Sequence, residues 1–522
     1  MDGTSAGGKR AGIIGAGIAG LVTAKVLRDD GFEVVIFEKE GAAGGVWIEA
    51  RTYPGLRTNN SRDTYAYSDH PYPESAEVFP TAAQVRDYLA SYVERFGLSP
   101  LLRLSTEVIR VSEVDAGFEL KICGPDGVEE LRFDFVVVCA GVFSTPQLPV
   151  IEGEDEFEGV RLHSSRATDP RLFAGRRVVV VGAGKSALDC AAWAGEHARQ
   201  CTLVFRRAHP MLPRFLPGGV PSDRIILNRS TEAFFRYHRQ TLIERFLHGP
   251  GKKFAERYWR AVSASMRLLL RSPKVMVPDA PLPAGIENLG VSDEFFRMAR
   301  RGRIALRRDT IAAFPGGTVV QLAGGDRLDA DVVVFATGWR QELEFLSPEL
   351  AKTIRVEGRF QLYRHILPPT LPRLGFIGYG SSAACQLTAE VSAHWLSQHF
   401  LGELALPGVD GMHREIARVG TWLGEVMPER PEGYYLGPYL THHIDELMGD
   451  MGLPTRRTDN FVTEYFDTLL PGRYADLTEE RLRARVSGSR RRRYVSAGGS
   501  LGGVAALTMA YACYRRIRGW WA

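Results

Sequence analysis

Two glycine-rich turns, each set between an apolar strand and a helical stretch, constrain this 522-residue chain more than any other feature. The first is Gly15-Ala16-Gly17-Ile18-Ala19-Gly20. It follows the apolar run from Ala11 to Ile14 and opens a helical stretch through Leu27; a second strand, from Glu33 to Phe37, ends at Glu38. The first glycine permits the tight turn, the second lets the backbone approach a pyrophosphate, and the third allows close helix packing. The helix start then offers free N–H groups and a favourable dipole to an anion. Glu38, 23 residues after Gly15, stands where an acid binds ribose hydroxyls. A glycine-rich turn that binds nothing would need neither the helix nor the acid.

The second turn is Gly182-Ala183-Gly184-Lys185-Ser186-Ala187, preceded by Arg177 to Val181 with four consecutive valines. Such a run suits a parallel strand buried on both faces. The strand after the helix, Thr202 to Phe205, ends at Arg206 and Arg207, where the first unit has an acid. A carboxylate repels a ribose 2′-phosphate, whereas a guanidinium pairs with it. The first unit therefore predicts FAD and the second NADPH in preference to NADH; the bland alternative makes the two arginines a solvated strand end. Two dinucleotide sites in one chain imply electron transfer between two cofactors. The fold class expected is α/β, with two Rossmann-type domains.

Length and composition add bounds. The formal net charge of +4 is small for this length and does not suggest a nucleic-acid binder. The six cysteines, Cys123, Cys139, Cys190, Cys201, Cys385 and Cys513, form no CxxC pair and no zinc spacing, so buried thiols in a reducing compartment and no metal site are expected. Lys9 and Arg10 before an apolar stretch imitate a secretory signal, but the glycine spacing belongs to the turn. The expectation is a cytoplasmic protein with a short disordered lead, Met1 to Gly8.

Further motifs follow in order. They are Gly44-Gly45-Val46-Trp47, Tyr53-Pro54-Gly55-Leu56-Arg57-Thr58-Asn59-Asn60-Ser61, the FxGxxxH segment Phe157 to His163, Asp331 to Trp339 containing Ala336-Thr337-Gly338, and Gly375 to Tyr379. In this set and order the chain resembles the flavin-containing monooxygenases and their Baeyer–Villiger relatives, the class B flavoprotein monooxygenases. The resemblance implies cofactor contacts at Gly15, Gly17, Gly20, Glu38, Lys39, Gly45, Trp47, Thr58, Gly182, Gly184, Lys185, Ser186, Arg206, Arg207, Thr337 and Gly338. It implies a signature or domain-coupling role for Phe157, Gly159 and His163, with His163 moving no proton. Two positions depart from pattern: Ala167 replaces the usual aromatic four residues after His163, and Asn59 stands where the Baeyer–Villiger segment has aspartate. Ala167 lowers the Baeyer–Villiger reading, whereas Tyr53-Pro54-Gly55 is similar to the Baeyer–Villiger segment, so the motif is a hybrid that leans towards heteroatom oxidation.

The chemistry that the resemblance implies is reduction of FAD by NADPH, addition of dioxygen at the flavin C4a carbon, and transfer of one oxygen atom to a small organic substrate. A soft amine or thioether needs no general base, only a dry, preorganised pocket. Asn59, whose amide donates and accepts without charge, is the expected catalytic residue; the bland reading is an asparagine in a turn. Three functions stay open: N- or S-oxygenation, Baeyer–Villiger or other carbon oxidation, and a flavoprotein reductase.

The domain order expected is 1–151 for the FAD domain, 152–328 for the NADPH domain, 329–401 for the rest of the FAD domain, and a helical extension over 402–522. A helical insertion is expected over about 208–307, with helices from Thr231 to Phe246 and from Phe254 to Leu270. Between Arg236 and Lys274 it carries ten Lys/Arg against two Glu. It reads as a lid over the NADPH site, as a contact for an anionic partner, or as a solvated helical face. At the C-terminus, Arg490 to Arg493, an uncharged stretch and Trp520-Trp521 admit peripheral membrane contact over 490–522, with a helix packed on the protein or in a homodimer contact as the favoured reading.

Overall fold

The computed structural model describes residues 9–486, apart from 431 and 434. The lead 1–8 and the segment 490–522 singled out above lie outside the described residues. Among the described residues, no helix is long and apolar enough to cross a membrane.

Ten short parallel strands build two sheets. In chain order they are β1 (Arg10–Ile14), β2 (Glu33–Phe37), β3 (Leu102–Arg103), β4 (Phe135–Val138), β5 (Val160–His163), β6 (Arg177–Val181), β7 (Gln200–Val204), β8 (Ala305–Arg307), β9 (Val332–Phe335) and β10 (Leu374–Phe376). The first sheet runs β10-β4-β1-β2-β3, and the second runs β5-β9-β6-β7-β8. Both share one four-strand order, β4-β1-β2-β3 and β9-β6-β7-β8, but the strand outside it comes last in the chain in the first sheet, β10, and first in the second, β5. Each unit also carries a three-stranded antiparallel meander, over 107–133 just before β4 in one and over 311–329 just before β9 in the other. The duplication thus extends well beyond the two glycine turns.

The apolar runs explain the pairing. In β4 and β9 every residue is buried, as expected of central parallel strands covered on both faces. The expected return to the first domain at 329 is corrected here: β9 pairs with β6 and β5 in the second sheet, so the chain crosses back only after Phe335. The two strands share one pattern, Asp-Phe-Val-Val-Val and Asp-Val-Val-Val-Phe, so pattern alone does not assign a sheet. Gly375 to Tyr379 does enter the first sheet, through β10 against β4.

Ten helices matter below: α1 (Ile18–Asp29), α2 (Lys185–His197), α3 (Asp223–Ile226), α4 (Arg229–Glu232), α5 (Leu242–His248), α6 (Lys252–Leu270), α7 (Asp293–Arg300), α8 (Cys385–Phe400), α9 (Val409–Val426) and α10 (Leu440–Asp450). The helix expected from Thr231 to Phe246 is instead two, α4 and α5, separated by turns and irregular chain. Thr241 starts α5 with a reciprocal capping box to Glu244, which satisfies its first N–H groups. The intervening Phe235 and Tyr237 are buried with Trp259 against Trp422, Leu423 and Tyr439 of the C-terminal extension. The aromatics of the insertion thus form a shared core with α9 and α10, while Lys252, Lys253, Arg257, Arg260 and Arg267 of α6 are exposed. His442 on α10 is clamped between Glu232 at 2.5 Å and Glu244 at 2.7 Å. Burial alone would lower its pKa, but the two carboxylates outweigh it and hold His442 well above the ordinary imidazole range.

Among the described cysteines, Cys139, Cys190 and Cys201 are buried thiols, Cys385 is partly covered, and Cys123 is exposed, contrary to expectation.

Candidate active site

Both fingerprint helices begin bare. α1 and α2 take Gly17 and Gly184 as N-caps, with no side chain capping either start. Their first N–H groups are left for an external acceptor. In the first turn, a Cβ on Gly20 would lie 1.9 Å from the Gly15 carbonyl oxygen, so only glycine lets α1 settle on the turn. Gly45, with φ of +59°, brings its Cα within contact of Gly17. In the second turn Gly182 has φ of +128°, and a Cβ there would meet the Ala336 carbonyl oxygen at 2.5 Å. Gly184 faces open space, with nothing within 4 Å of its Cβ position. Two uncapped helix starts with glycine-cleared approaches fit two pyrophosphates, as FAD and NADPH require.

Glu38 is buried at the end of β2 and accepts from the backbone N–H of Ala16 at 2.8 Å and of Glu40 at 3.0 Å. Its position beside the first turn is the one expected, while neighbouring Lys39 is exposed. Trp47 is buried and donates from Nε1 to the Tyr65 hydroxyl at 3.2 Å. At the second site, Arg206 and Arg207 are both exposed, and Arg207 pairs with Glu429 at 2.6 Å. Lys185 forms an ion pair with Asp189 one turn along α2.

Asp189 was not legible as a site residue. Besides Lys185 it accepts from the Tyr53 hydroxyl at 3.2 Å and from Ser292 Oγ at 3.0 Å. The Tyr53 hydroxyl also lies 3.4 Å from Ser186 Oγ. Burial, then the adjacent Asp189 charge, raises the Tyr53 pKa and keeps it a phenol. The Tyr53-Pro54-Gly55 segment of the first unit is thereby bolted to the second unit's fingerprint helix.

The segment that follows is pinned residue by residue. Thr58 is buried, donates its backbone N–H to the Pro80 carbonyl at 3.0 Å, and donates from Oγ1 to the Asn60 carbonyl at 2.7 Å. Asn60 is buried and donates to the Ala383 carbonyl at 2.8 Å, just before α8. Ser61 is fully buried. Asn59 between them is exposed, so its amide is the one this turn presents outward. Three arginines beside these motifs are engaged: Arg57 pairs with Glu77, Arg62 donates to the Glu74 and Ala76 carbonyls, and Arg340 sits 3.4 Å from Glu342.

The FxGxxxH segment explains itself by packing. Phe157 is buried against Phe314, with ring centroids 4.8 Å apart. A Cβ on Gly159 would meet the Phe157 ring at 2.6 Å and the Asp331 carbonyl oxygen at 2.9 Å. His163 ends β5 and reaches the loop after β9, where the two connections between the sheets run antiparallel as Thr145–Pro146 against Trp339–Arg340. Thr337 closes the same ribbon by donating to the Gln147 carbonyl.

One cluster has the composition of a cation site: His238, Glu415 and Glu446, whose candidate ligand atoms lie within 4.8 Å of one another. Arg364 pairs with Glu446 at 2.6 Å, Arg239 with Glu415 at 2.9 Å, and Arg418 also pairs with Glu415. Guanidinium groups already supply the positive charge there, so the cluster is an ion-pair network.

The model of a flavin-binding monooxygenase-like family matches residues 8–424. The chain belongs to this family. Among curated proteins it is similar to a probable flavin-containing monooxygenase 1 of Arabidopsis thaliana, 28% identical over 513 residues, covering 88% of this chain and 94% of that one. In fold it is similar to an S-allyl-L-cysteine S-oxygenase from Allium sativum (21% identity, TM-score 0.59, 97% of this chain and 99% of that one). A cyclohexanone monooxygenase bound to epsilon-caprolactone gives a TM-score of 0.64 at 18% identity, covering 84% of this chain and 96% of that one. As a member of the flavin-binding monooxygenase-like family, this chain is an FAD-dependent monooxygenase that takes FAD and NADPH as cofactors, with dioxygen and a small molecule as its substrates.

Proposed function

We propose that this enzyme oxygenates a soft heteroatom, nitrogen or sulfur, of a small organic substrate at the expense of NADPH. The observation that carries this reading is the Asn59 turn: Thr58, Asn60 and Ser61 are buried and bonded, and the uncharged Asn59 is the residue that the turn leaves exposed. A heteroatom with its own lone pair needs no proton removed before it accepts oxygen, so a neutral donor–acceptor suffices where a carbon oxidation would call for a charged group. Arg57 and Arg340, which stand beside two of these motifs, are paired with Glu77 and Glu342.

With both cofactors bound, the chemistry supplied is hydride transfer to a flavin and activation of dioxygen. The chain's own share is binding, orientation and exclusion of water. Gly15, Gly17, Gly20 and Glu38 would hold one dinucleotide, and Gly182, Gly184, Ser186 and Arg206 the other. Arg206 is the better candidate for a ribose 2′-phosphate, because Arg207 already has Glu429. Asn59 would donate to the oxygen being delivered and accept from the nicotinamide amide. Tyr53 and Asp189 would keep the two binding turns in fixed relation, and His163 would couple the two connections.

The test supplies the FAD-loaded enzyme with NADPH, isotope-labelled dioxygen and, separately, a tertiary amine, a thioether and a cyclic ketone. A labelled N-oxide or sulfoxide formed in step with NADPH consumption supports the proposal. A labelled ester from the ketone alone would move the assignment to Baeyer–Villiger oxidation. NADPH oxidation that yields only hydrogen peroxide in all three would leave a reductase.

A further inference from the structure

The Asn59 turn is held from outside its own domain. Asp223, the first residue of α3 in the insertion, is 5% exposed and directs one oxygen, Oδ2, at the turn. That oxygen accepts from the Ser61 backbone N–H at 2.9 Å, from Ser61 Oγ at 2.7 Å and from Thr64 Oγ1 at 2.6 Å. Its other oxygen, Oδ1, is buried without a hydrogen-bond partner among the described residues. Three donors gathered on one oxygen of a buried carboxylate make a directional, charge-assisted clamp across 162 residues of sequence. The next residue, Arg224, pairs with Asp63 in the same turn.

The far side of this clamp is anchored too. Thr468 Oγ1 donates to the Arg224 carbonyl at 2.8 Å, and the Leu469 N–H donates to the Leu227 carbonyl at 2.8 Å. Arg229 on α4 pairs with Asp445 at 2.5 Å and with Glu464 at 2.8 Å. The C-terminal extension thus fixes α3 and α4, and these fix Ser61. Asn59, two residues before Ser61, takes its place from that chain of contacts.

We propose that Asp223 is a positioning residue through which the insertion sets the orientation of Asn59, and with it the efficiency of oxygen transfer. This rests on the Asn59 reading above. A carboxylate suits the task because it accepts from a backbone N–H and two hydroxyls at once and competes for none of them as a donor.

The test compares the wild type with Asp223→Asn, Ser61→Ala and Asn59→Ala by hydrogen–deuterium exchange, and by the share of NADPH electrons released as hydrogen peroxide with a good substrate present. Asp223→Asn should speed exchange of the 58–64 amides about tenfold, leaving the amides of β1 and β6 at wild-type protection, and should raise the peroxide share severalfold with the NADPH KM shifted less than twofold. Exchange in 58–64 at the wild-type rate would overturn the proposal. So would faster exchange spread evenly over the chain, or a loosened turn with an unchanged peroxide share. Should Asp223→Asn fail to accumulate as folded protein, Ser61→Ala, which removes one donor and keeps the carboxylate, carries the same expectations. Asn59→Ala separates the two claims: if it transfers oxygen as efficiently as the wild type, the role of Asn59 falls while the loosening of 58–64 by Asp223→Asn still reports the clamp.

Discussion

His163 Nε2 lies 3.1 Å from the Gly338 carbonyl oxygen, while its Nδ1 accepts the Ser165 backbone N–H at 3.3 Å. That acceptor role leaves the ring proton on Nε2, where it donates to Gly338. The same carbonyl accepts the Gln147 N–H at 3.0 Å, and the imidazole packs edge-on to Trp339 at 4.8 Å. One neutral imidazole thus joins the end of β5 to both connections between the sheets.

Removing that joint should cost stability. His163→Ala deletes a buried hydrogen bond and a ring contact and should destabilise the fold by about 1–3 kcal/mol, read by denaturant unfolding. Burial lowers the His163 pKa below its ordinary 6.5, with the Gly338 bond opposing. A depressed pKa means stability that is complete above the unfolded value and is withdrawn as pH falls through the folded one. The cost of His163→Ala should therefore be full at pH 8 and shrink under acid conditions. A constant cost at every pH would mean the imidazole titrates alike folded and unfolded.

Gly184→Ala separates folding from cofactor binding. Its backbone φ is −75°, which alanine adopts freely, and the added methyl meets nothing within 4 Å. Stability should fall by only about 0.5–1 kcal/mol, the gap between glycine and alanine as N-caps, while the NADPH KM rises about tenfold or more because the methyl occupies the phosphate approach. Gly182→Ala, with φ of +128° and a carbonyl at 2.5 Å, should instead damage folding itself. An NADPH KM unchanged in Gly184→Ala would remove this turn from the cofactor site.

The two arginines after β7 should behave differently. Arg206→Ala should cut the kcat/KM preference for NADPH over NADH by roughly tenfold or more, about 1.4 kcal/mol. Arg207→Ala should do less, since Glu429 already holds that guanidinium at 2.6 Å. Glu429→Gln should release Arg207 and strengthen NADPH binding. Steady-state kinetics with both nucleotides decides this, and equal effects of the two arginine variants would count against the division.

Glu390 on α8 is buried beneath Ser68, whose N–H and hydroxyl donate to it at 2.8 and 2.5 Å. Burial, then the charge of Asp69, pushes its pKa from 4.5 up to about 7, although Ser68 and Lys25 pull the other way. A raised folded pKa contributes stability that is full below the unfolded value and is lost as pH rises through the folded one. Between pH 4 and 8 the wild type should lose about 3 kcal/mol relative to Glu390→Gln, the equivalent of that interval. Parallel stability–pH curves for the two proteins would show that Glu390 titrates alike folded and unfolded.

Sequence alone determined the two βαβ units, their glycines and the acid at Glu38, because each depends on neighbours within one supersecondary unit and each glycine answers a local backbone demand. The capped start of α5 at Thr241 and Glu244 was equally local, though its sequence signal passed unread beneath the helical composition around it. The family motifs marked Asn59 and His163 as important without saying why. Only the tertiary structure decided which sheet receives β9, since two strands of nearly identical apolar pattern differ only in the partners they meet. It alone brought Asp189 to Tyr53 and Asp223 to Ser61, across 136 and 162 residues. A carboxylate on a short helix has no periodicity that names its distant partner, and its cost of burial is offset only once the whole fold has gathered the donors around it.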